Sequence, residues 1–255
     1  MANELRIVPI TGIGEIPPGT DLGKLIHDAL QAQHLEIEQG DVLVITQKIV
    51  SKAEGQLVNL DEVEPSEFAR IAAQQSKKDA QHLEVVLRES KRIVRMDHGV
   101  LISETHHGFI CANAGVDESN IGGTRQLALL PVDSNRSARD IRTRLQKLSE
   151  KQPQPDLAVI ISDTWGRPWR TGQVNNAIGV AGMESVVDYR GQIDPYGYEL
   201  QASAIAVADE LAAAAELVMG KIDRVPVALI RGYAYIPSES DASTLIRDGA
   251  SDMFR

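Results

Sequence analysis

The order of apolar segments in this chain predicts an α+β fold or an irregular α/β fold. Short runs rich in Val, Ile and Leu are bounded by turn residues, as strands are. Longer segments with apolar residues three and four apart fall between them, without the regular βαβ rhythm of a Rossmann fold or a TIM barrel. The glycine signatures of common nucleotide sites are missing too. Gly12-Ile13-Gly14 lacks the third glycine of a dinucleotide fingerprint. Gly23-Lys24-Leu25 and Gly220-Lys221-Ile222 lack the Ser or Thr and the upstream glycine of a P-loop.

Element by element, residues 6–10 read as a first strand and 21–33 as an amphipathic helix. Residues 41–45 form a continuous apolar run, expected as a buried strand, and 56–60 a further strand. A helical pattern covers 66–91 with a break near Lys78, before strands at 100–103, 109–112 and 127–130. Ser134 is the expected N-cap of a helix over 134–151, and Lys151-Gln152-Pro153-Gln154-Pro155 is a loop. Strands follow at 157–162 and 185–189. An alanine-rich helix over 199–219 closes at Gly220, and 225–230 is the last strand. The tetra-alanine stretch 212–215 leaves room for another element to approach, across a subunit interface included.

Composition narrows the class. The chain has 255 residues, 43% hydrophobic and 24% charged, enough for a substantial core. Aromatic residues are only 4%, so that core must be aliphatic. A formal charge of -10 argues against nonspecific nucleic-acid binding, and no window approaches the roughly 18 apolar residues of a membrane span. The single cysteine, Cys111, excludes an internal disulfide and a Cys-based zinc site, and favours a reducing, cytoplasmic setting. It lies in an apolar run and reads as a small buried hydrophobe.

Two stretches carry the chemistry. Apolar runs end at Asp117 in Cys111-Ala112-Asn113-Ala114-Gly115-Val116-Asp117, and at Asp163 in Ser162-Asp163-Thr164-Trp165-Gly166. Two carboxylates at one sheet mouth, with Thr164 following the strand immediately, suit a hard divalent cation. Each aspartate could equally cap a turn. Lys48 and Lys52, four apart after the second strand, would share a helix face and present two ammonium groups to a phosphate chain, or simply to solvent. Arg136, Arg139 and Arg142 recur every three residues near a helix start, a candidate basic stripe for an acidic ligand or an ordinary salt-bridged surface.

Together these segments resemble the coenzyme F-420-0:γ-glutamyl ligase family. The resemblance runs through Val8-Pro9-Ile10-Thr11-Gly12, residues 40–45 and 50–55, 108–120, Leu130-Pro131-Val132-Asp133-Ser134, 161–182, 214–221 and 226–232. It implies that family's irregular mixed-sheet fold and GTP-dependent addition of L-glutamate to a deazaflavin coenzyme precursor, with two Mg2+ or Mn2+ ions, K+ and a homodimer. By matching motif, Pro9, Ile10, Thr11, Gly12, Gln47, Lys48, Lys52, Asn120, Met219, Gly220, Lys221 and Ile222 would meet GTP. Asp117 and Asp163 would hold one ion and Thr164 the other, with Lys52, Asp117 and Asp163 as the catalytic set. Lys221 departs from the family pattern, which has a glutamine nearby, and puts the second ion's ligands in question. The resemblance implies a single catalytic unit over 1–255, in one or two lobes, without the fused flavin-binding domain of some bacterial relatives. A metal-dependent phosphohydrolase would also use paired aspartates. A GTP-sensing module would bind without turnover.

Overall fold

The structure is a computed structural model that describes residues 4–76, 78–118 and 125–252. Its centre is a five-stranded sheet in the order β1-β12-β2-β8-β9. The strands are β1 (Arg6–Ile10), β2 (Asp41–Thr46), β8 (Leu157–Arg167), β9 (Arg170–Ala181) and β12 (Val227–Arg231). Only β2 and β8 run parallel within this sheet; its other pairings are antiparallel.

Side-chain alternation separates two apolar layers. Leu43, Ile45, Leu157, Val159, Ile161, Val227 and Leu229 face one side, against helices α1 (Leu22–Ala32), α2 (Gln47–Ala53) and α5 (Ser134–Leu148). Val42, Val44, Ala158, Ile160, Ala228 and Ile230 face the other, against α6 (Val207–Met219). The alanine stretch admits a close approach as expected: Ala212 and Ala215 are fully buried against the sheet of their own chain, while Ala213 and Ala214 are half-buried. Gly179 on β9 permits the close approach of α5, because an added Cβ would lie 2.3 Å from the Ser134 carbonyl oxygen.

The remaining elements build a smaller body beside the sheet. They are β3 (Leu57–Asn59) paired with β7 (Gln126–Ala128), helices α3 (Glu67–Ala73) and α4 (Ala80–Arg88), and a three-stranded sheet. That sheet runs β4 (Ser90–Asp97), β5 (Val100–Thr105) and β6 (Ile110–Ala112). Leu60, Val85, Val86, Leu101, Val116 and Leu127 form its core. A two-residue ladder of β10 (Val187–Asp188) and β11 (Ala204–Ile205) completes the strands.

Several expectations are corrected. The helical pattern over 66–91 breaks near Lys78 as expected, into two helices with their own side-chain caps, Ser66 and Asp79, but its last residues belong to β4 and not to a helix. The final helix starts at Val207, not at 199, since 199–206 holds β11 and its turn. The N-cap of α5 is Asp133, whose carboxylate accepts from the Arg136 N–H, and Ser134 is already helical.

Candidate active site

In the central sheet the parallel pairing of β2 with β8 ends at Thr46 opposite Ser162. Chain segments leaving the carboxyl ends of parallel strands diverge, and the crevice between them is where α/β sheets hold ligands. Here β2 leads directly into α2. Strand β8 instead continues as a long hairpin with β9, so Asp163 and Thr164 lie within the strand and not in a following loop as expected. They therefore point to opposite faces.

Asp163 shares its face with Ile161 and Trp165, which pack toward the main core. Asp117 reaches it from the smaller body. Three consecutive residues with positive φ, Asn113 (53°), Ala114 (53°) and Gly115 (71°), reverse the chain after β6. Asp117 then exchanges backbone hydrogen bonds with Ala128 at 3.0 and 2.9 Å, which fixes its position. Gly115, at φ 71°, lies where an L side chain is strained, and a Cβ there would also press on the Leu130 side chain at 2.9 Å.

The site's electrostatics follow from this convergence. Lys48 Nζ lies 2.7 Å from Asp117 Oδ2. The Asp163 carboxyl is pushed up to about 6, first by loss of hydration. The charge of Asp117 adds to the rise, while the Thr164 N–H, Lys48 and Lys221 partly offset it. The buried Cys111 thiol is pushed up to about 12 by burial and by the Asp163 charge, so it is inert, as its apolar context suggested.

On the opposite face a second cluster forms. Lys221 Nζ donates to Thr164 Oγ1 at 2.6 Å, and Thr164 donates to Asn175 Oδ1 at 2.6 Å. Asn175 Nδ2 donates to Glu216 Oε2 at 3.0 Å, and Lys221 lies 3.5 Å from Glu216. Asn175 and Glu216 escaped the sequence reading. A glutamate in the last turn of a helix opposes the helix dipole, and that was the available signal.

Other expected contacts are distributed as follows. Lys52 Nζ lies 3.0 Å from Glu15 Oε2 and its side chain is 13% exposed. Gln47 is buried and accepts from Ser51 Oγ at 2.7 Å, while its Nε2 has no hydrogen-bond partner among the described residues. Pro9 and Ile10 lie in β1, with Ile10 fully buried, and Thr11 donates to Gln33 at 3.1 Å. Gly12, at φ 81°, faces open space. Met219 is a core side chain, Gly220 ends α6 at φ 60°, and Ile222 is exposed. Asn120 lies outside the described residues. The arginine row does not form one stripe. Arg136 pairs with Asp140 and Arg139 with Asp241, both at 3.8 Å, while Arg142 is held by Asp156 at 2.6 Å and by the Leu157 carbonyl at 2.7 Å.

The profile of the family described as F420-0:Gamma-glutamyl ligase matches residues 12–232 of this sequence. The chain belongs to that family. Similar proteins include the coenzyme F420:L-glutamate ligase of Methanopyrus kandleri, 44% identical over 256 residues, covering 98% of both chains. The protein of the same name from Methanothermobacter thermautotrophicus is 42% identical over 254 residues, covering 98% of this chain and 99% of its own. That from Methanocaldococcus jannaschii is 40% identical over 256 residues, covering 100% of both.

The metal expectation of the family can be tested on the donor sets. Among the described residues no three His, Cys, Asp or Glu side chains gather as a metal-holding group. Two carboxylates suffice for Mg2+ when substrate phosphates and waters complete the shell. The Asp117–Asp163 pair fits that requirement, while Ser162, whose buried Oγ has no hydrogen-bond partner among the described residues, lies on the opposite face with Thr164. Thr164 fits a second ion less well, because its hydroxyl already accepts from an ammonium group. No helix among the described residues is long and apolar enough to cross a membrane.

Proposed function

We propose that this chain joins L-glutamate, through γ-linked amide bonds, to the deazaflavin coenzyme F420 precursor, consuming GTP and releasing GDP and phosphate. The observation that carries the reading is the convergence of Asp117, Asp163 and Lys48 at the parallel strand ends, in a member of this ligase family.

A carboxylate is a poor electrophile, so amide formation from it needs activation. An oxygen of the acceptor's carboxylate attacks the γ-phosphorus of GTP, the bond to GDP breaks, and an acyl phosphate forms. The glutamate amine then attacks the acyl carbon, expelling phosphate. Such transfer depends on alignment and on neutralising charge. Asp117 and Asp163 would hold a divalent ion, which supplies charge neutralisation on the phosphate oxygens. Lys48 and Lys52 lie along one helix above these groups, and both can move from their carboxylate partners onto phosphates. Gly12 and the buried amide of Gln47 offer open backbone space and an unmatched donor for the nucleotide.

A second ion at Thr164, with K+ as the monovalent partner, requires Lys221 to leave the hydroxyl and engage phosphate instead. A homodimer accords with the exposed Ile193, Tyr196 and Tyr198, which a second copy would cover. Use of GTP and a reduced thiol accord with a cytoplasmic setting. Mass spectrometry of the deazaflavin after incubation with GTP, Mn2+ and glutamate tests the reading. Mass increments of glutamyl units are expected. GDP release that does not depend on glutamate would instead indicate a phosphohydrolase, and binding without turnover a sensor.

A further inference from the structure

Beside the free edge of β9 lies a cavity of about 230 Å3, between the turn before β6 and the C-terminal segment. Phe109 and Trp165 form one wall, with ring centroids 5.8 Å apart. Asn176, Asp209, Arg247 and Asp252 also line it. One Asp209 oxygen accepts the Ala177 N–H at 2.8 Å. No cation faces this carboxylate among the described residues, and burial holds its pKa above the usual range. Arg247 likewise has no ion-pair partner among the described residues, whereas Arg88, Arg142 and Arg231 are all paired. The same cavity thus presents two carboxylates, Asp209 and Asp252, and one guanidinium, Arg247, and neither Asp209 nor Arg247 has an ion-pair partner among the described residues.

Within it, Asp209 and Arg247 can meet the two charged ends of a zwitterion. The cavity is smaller than the roughly 300–1,000 Å3 usual for drug-sized ligands, which suits a single amino acid and excludes a nucleotide. It also adjoins the acidic pair. Asn176 is the ladder partner of Asp163, and Trp165 lies two residues along the same strand on the same face.

We propose that this cavity binds an α-amino acid, its ammonium on Asp209 and its carboxylate on Arg247, and is the L-glutamate subsite. The assignment rests on the ligase reading above. It places the incoming amine on the β9 side of the Asp117–Asp163 centre, with the nucleotide on the α2 side. Aromatic walls would pack the aliphatic part of the side chain.

Two measurements on Arg247→Ala and Asp209→Asn test this. Steady-state kinetics should show KM for L-glutamate raised about tenfold by either change, the scale of one lost charged hydrogen bond, with KM for GTP within about twofold of wild type. Saturation-transfer NMR with L-glutamate alone should show contact in the wild type and its loss in Arg247→Ala, whose site is at the exposed rim. Unchanged KM for glutamate in an active enzyme would overturn the assignment, as would a rise confined to GTP or the deazaflavin. A wild type that binds glutamate in the NMR experiment but makes no glutamylated product would sink the ligase reading while leaving this site standing.

Discussion

Replacing Asp163 by Asn should make the metal-free protein more stable and the enzyme inactive. The shape is kept and one charge is removed. The carboxyl is raised from 3.8 to about 6, chiefly because folding strips its hydration. That rise is worth roughly 3 kcal/mol in favour of the neutral form, and residual exposure of the side chain reduces the recoverable part to about 1–2 kcal/mol. The native state therefore holds this proton more tightly than the unfolded chain. The resulting stability is fully present below pH 3.8 and is lost as pH rises through about 6. At pH 7 the wild type folds with a partly desolvated charge that asparagine does not carry. Thermal unfolding without metal should place Asp163→Asn about 3–6 °C above wild type at pH 7, converging with it toward pH 4. Adding Mn2+ should raise the wild-type transition and leave the variant unmoved, since only a native-state ligand site stabilises by mass action. A variant that melts below wild type without metal, or that keeps the Mn2+ response, would refute the placement of Asp163 as a strained carboxylate awaiting a cation.

Three further outcomes follow from the packing. Arg231→Ala removes both guanidinium contacts at 2.8 Å from the fully buried Asp41 and should cost about 3–5 kcal/mol, read from urea midpoints. Gly179→Ala drives a methyl into the Ser134 carbonyl and should cost at least about 1–3 kcal/mol by the same assay. Ser162→Ala discards a buried hydroxyl without a partner among the described residues. The metal-free fold should be unchanged or about 1 kcal/mol more stable in the same urea assay.

Strands whose apolar residues run continuously were readable from sequence, and the residues of the acidic pair were too. What escaped was structure imposed by partners. Strand β9 begins Arg170-Thr171-Gly172-Gln173, which reads as loop; it is strand because β8 pairs with it along its length. Ser162-Asp163-Thr164 looked like a strand end for the same reason, so the opposite-face placement of Asp163 and Thr164 was invisible. Strand β4 carries Lys91, Arg92 and Arg95 and continued a helical pattern, yet Glu104 on β5 neutralises two of these charges at 3.1 and 2.6 Å. The arginine row failed for a geometric reason. Steps of three residues turn a helix by about 300°, so successive arginines drift around it and each meets a different carboxylate.

The two lysines at the centre explain how so acidic a crevice folds before any ligand arrives. Two carboxylates converging under partial burial repel each other, and neither can be fully hydrated. Lys48 on Asp117 and Lys221 beside Thr164 and Glu216 supply positive charge on the two faces of β8. This offsets part of the acidic charge and leaves Asp163 raised. Both ammonium groups end flexible stems, about a third and more than half exposed, so they are not locked in place. A nucleotide bringing cations with its phosphates would release both lysines at once. On the proposed ligase reading, the displaced ammonium groups would become contacts of the phosphate and the carboxylates would hold the metal. The parallel pairing of β2 with β8 would allow this exchange, because it brings the acidic strand and the lysine-bearing helix to the same end of the sheet.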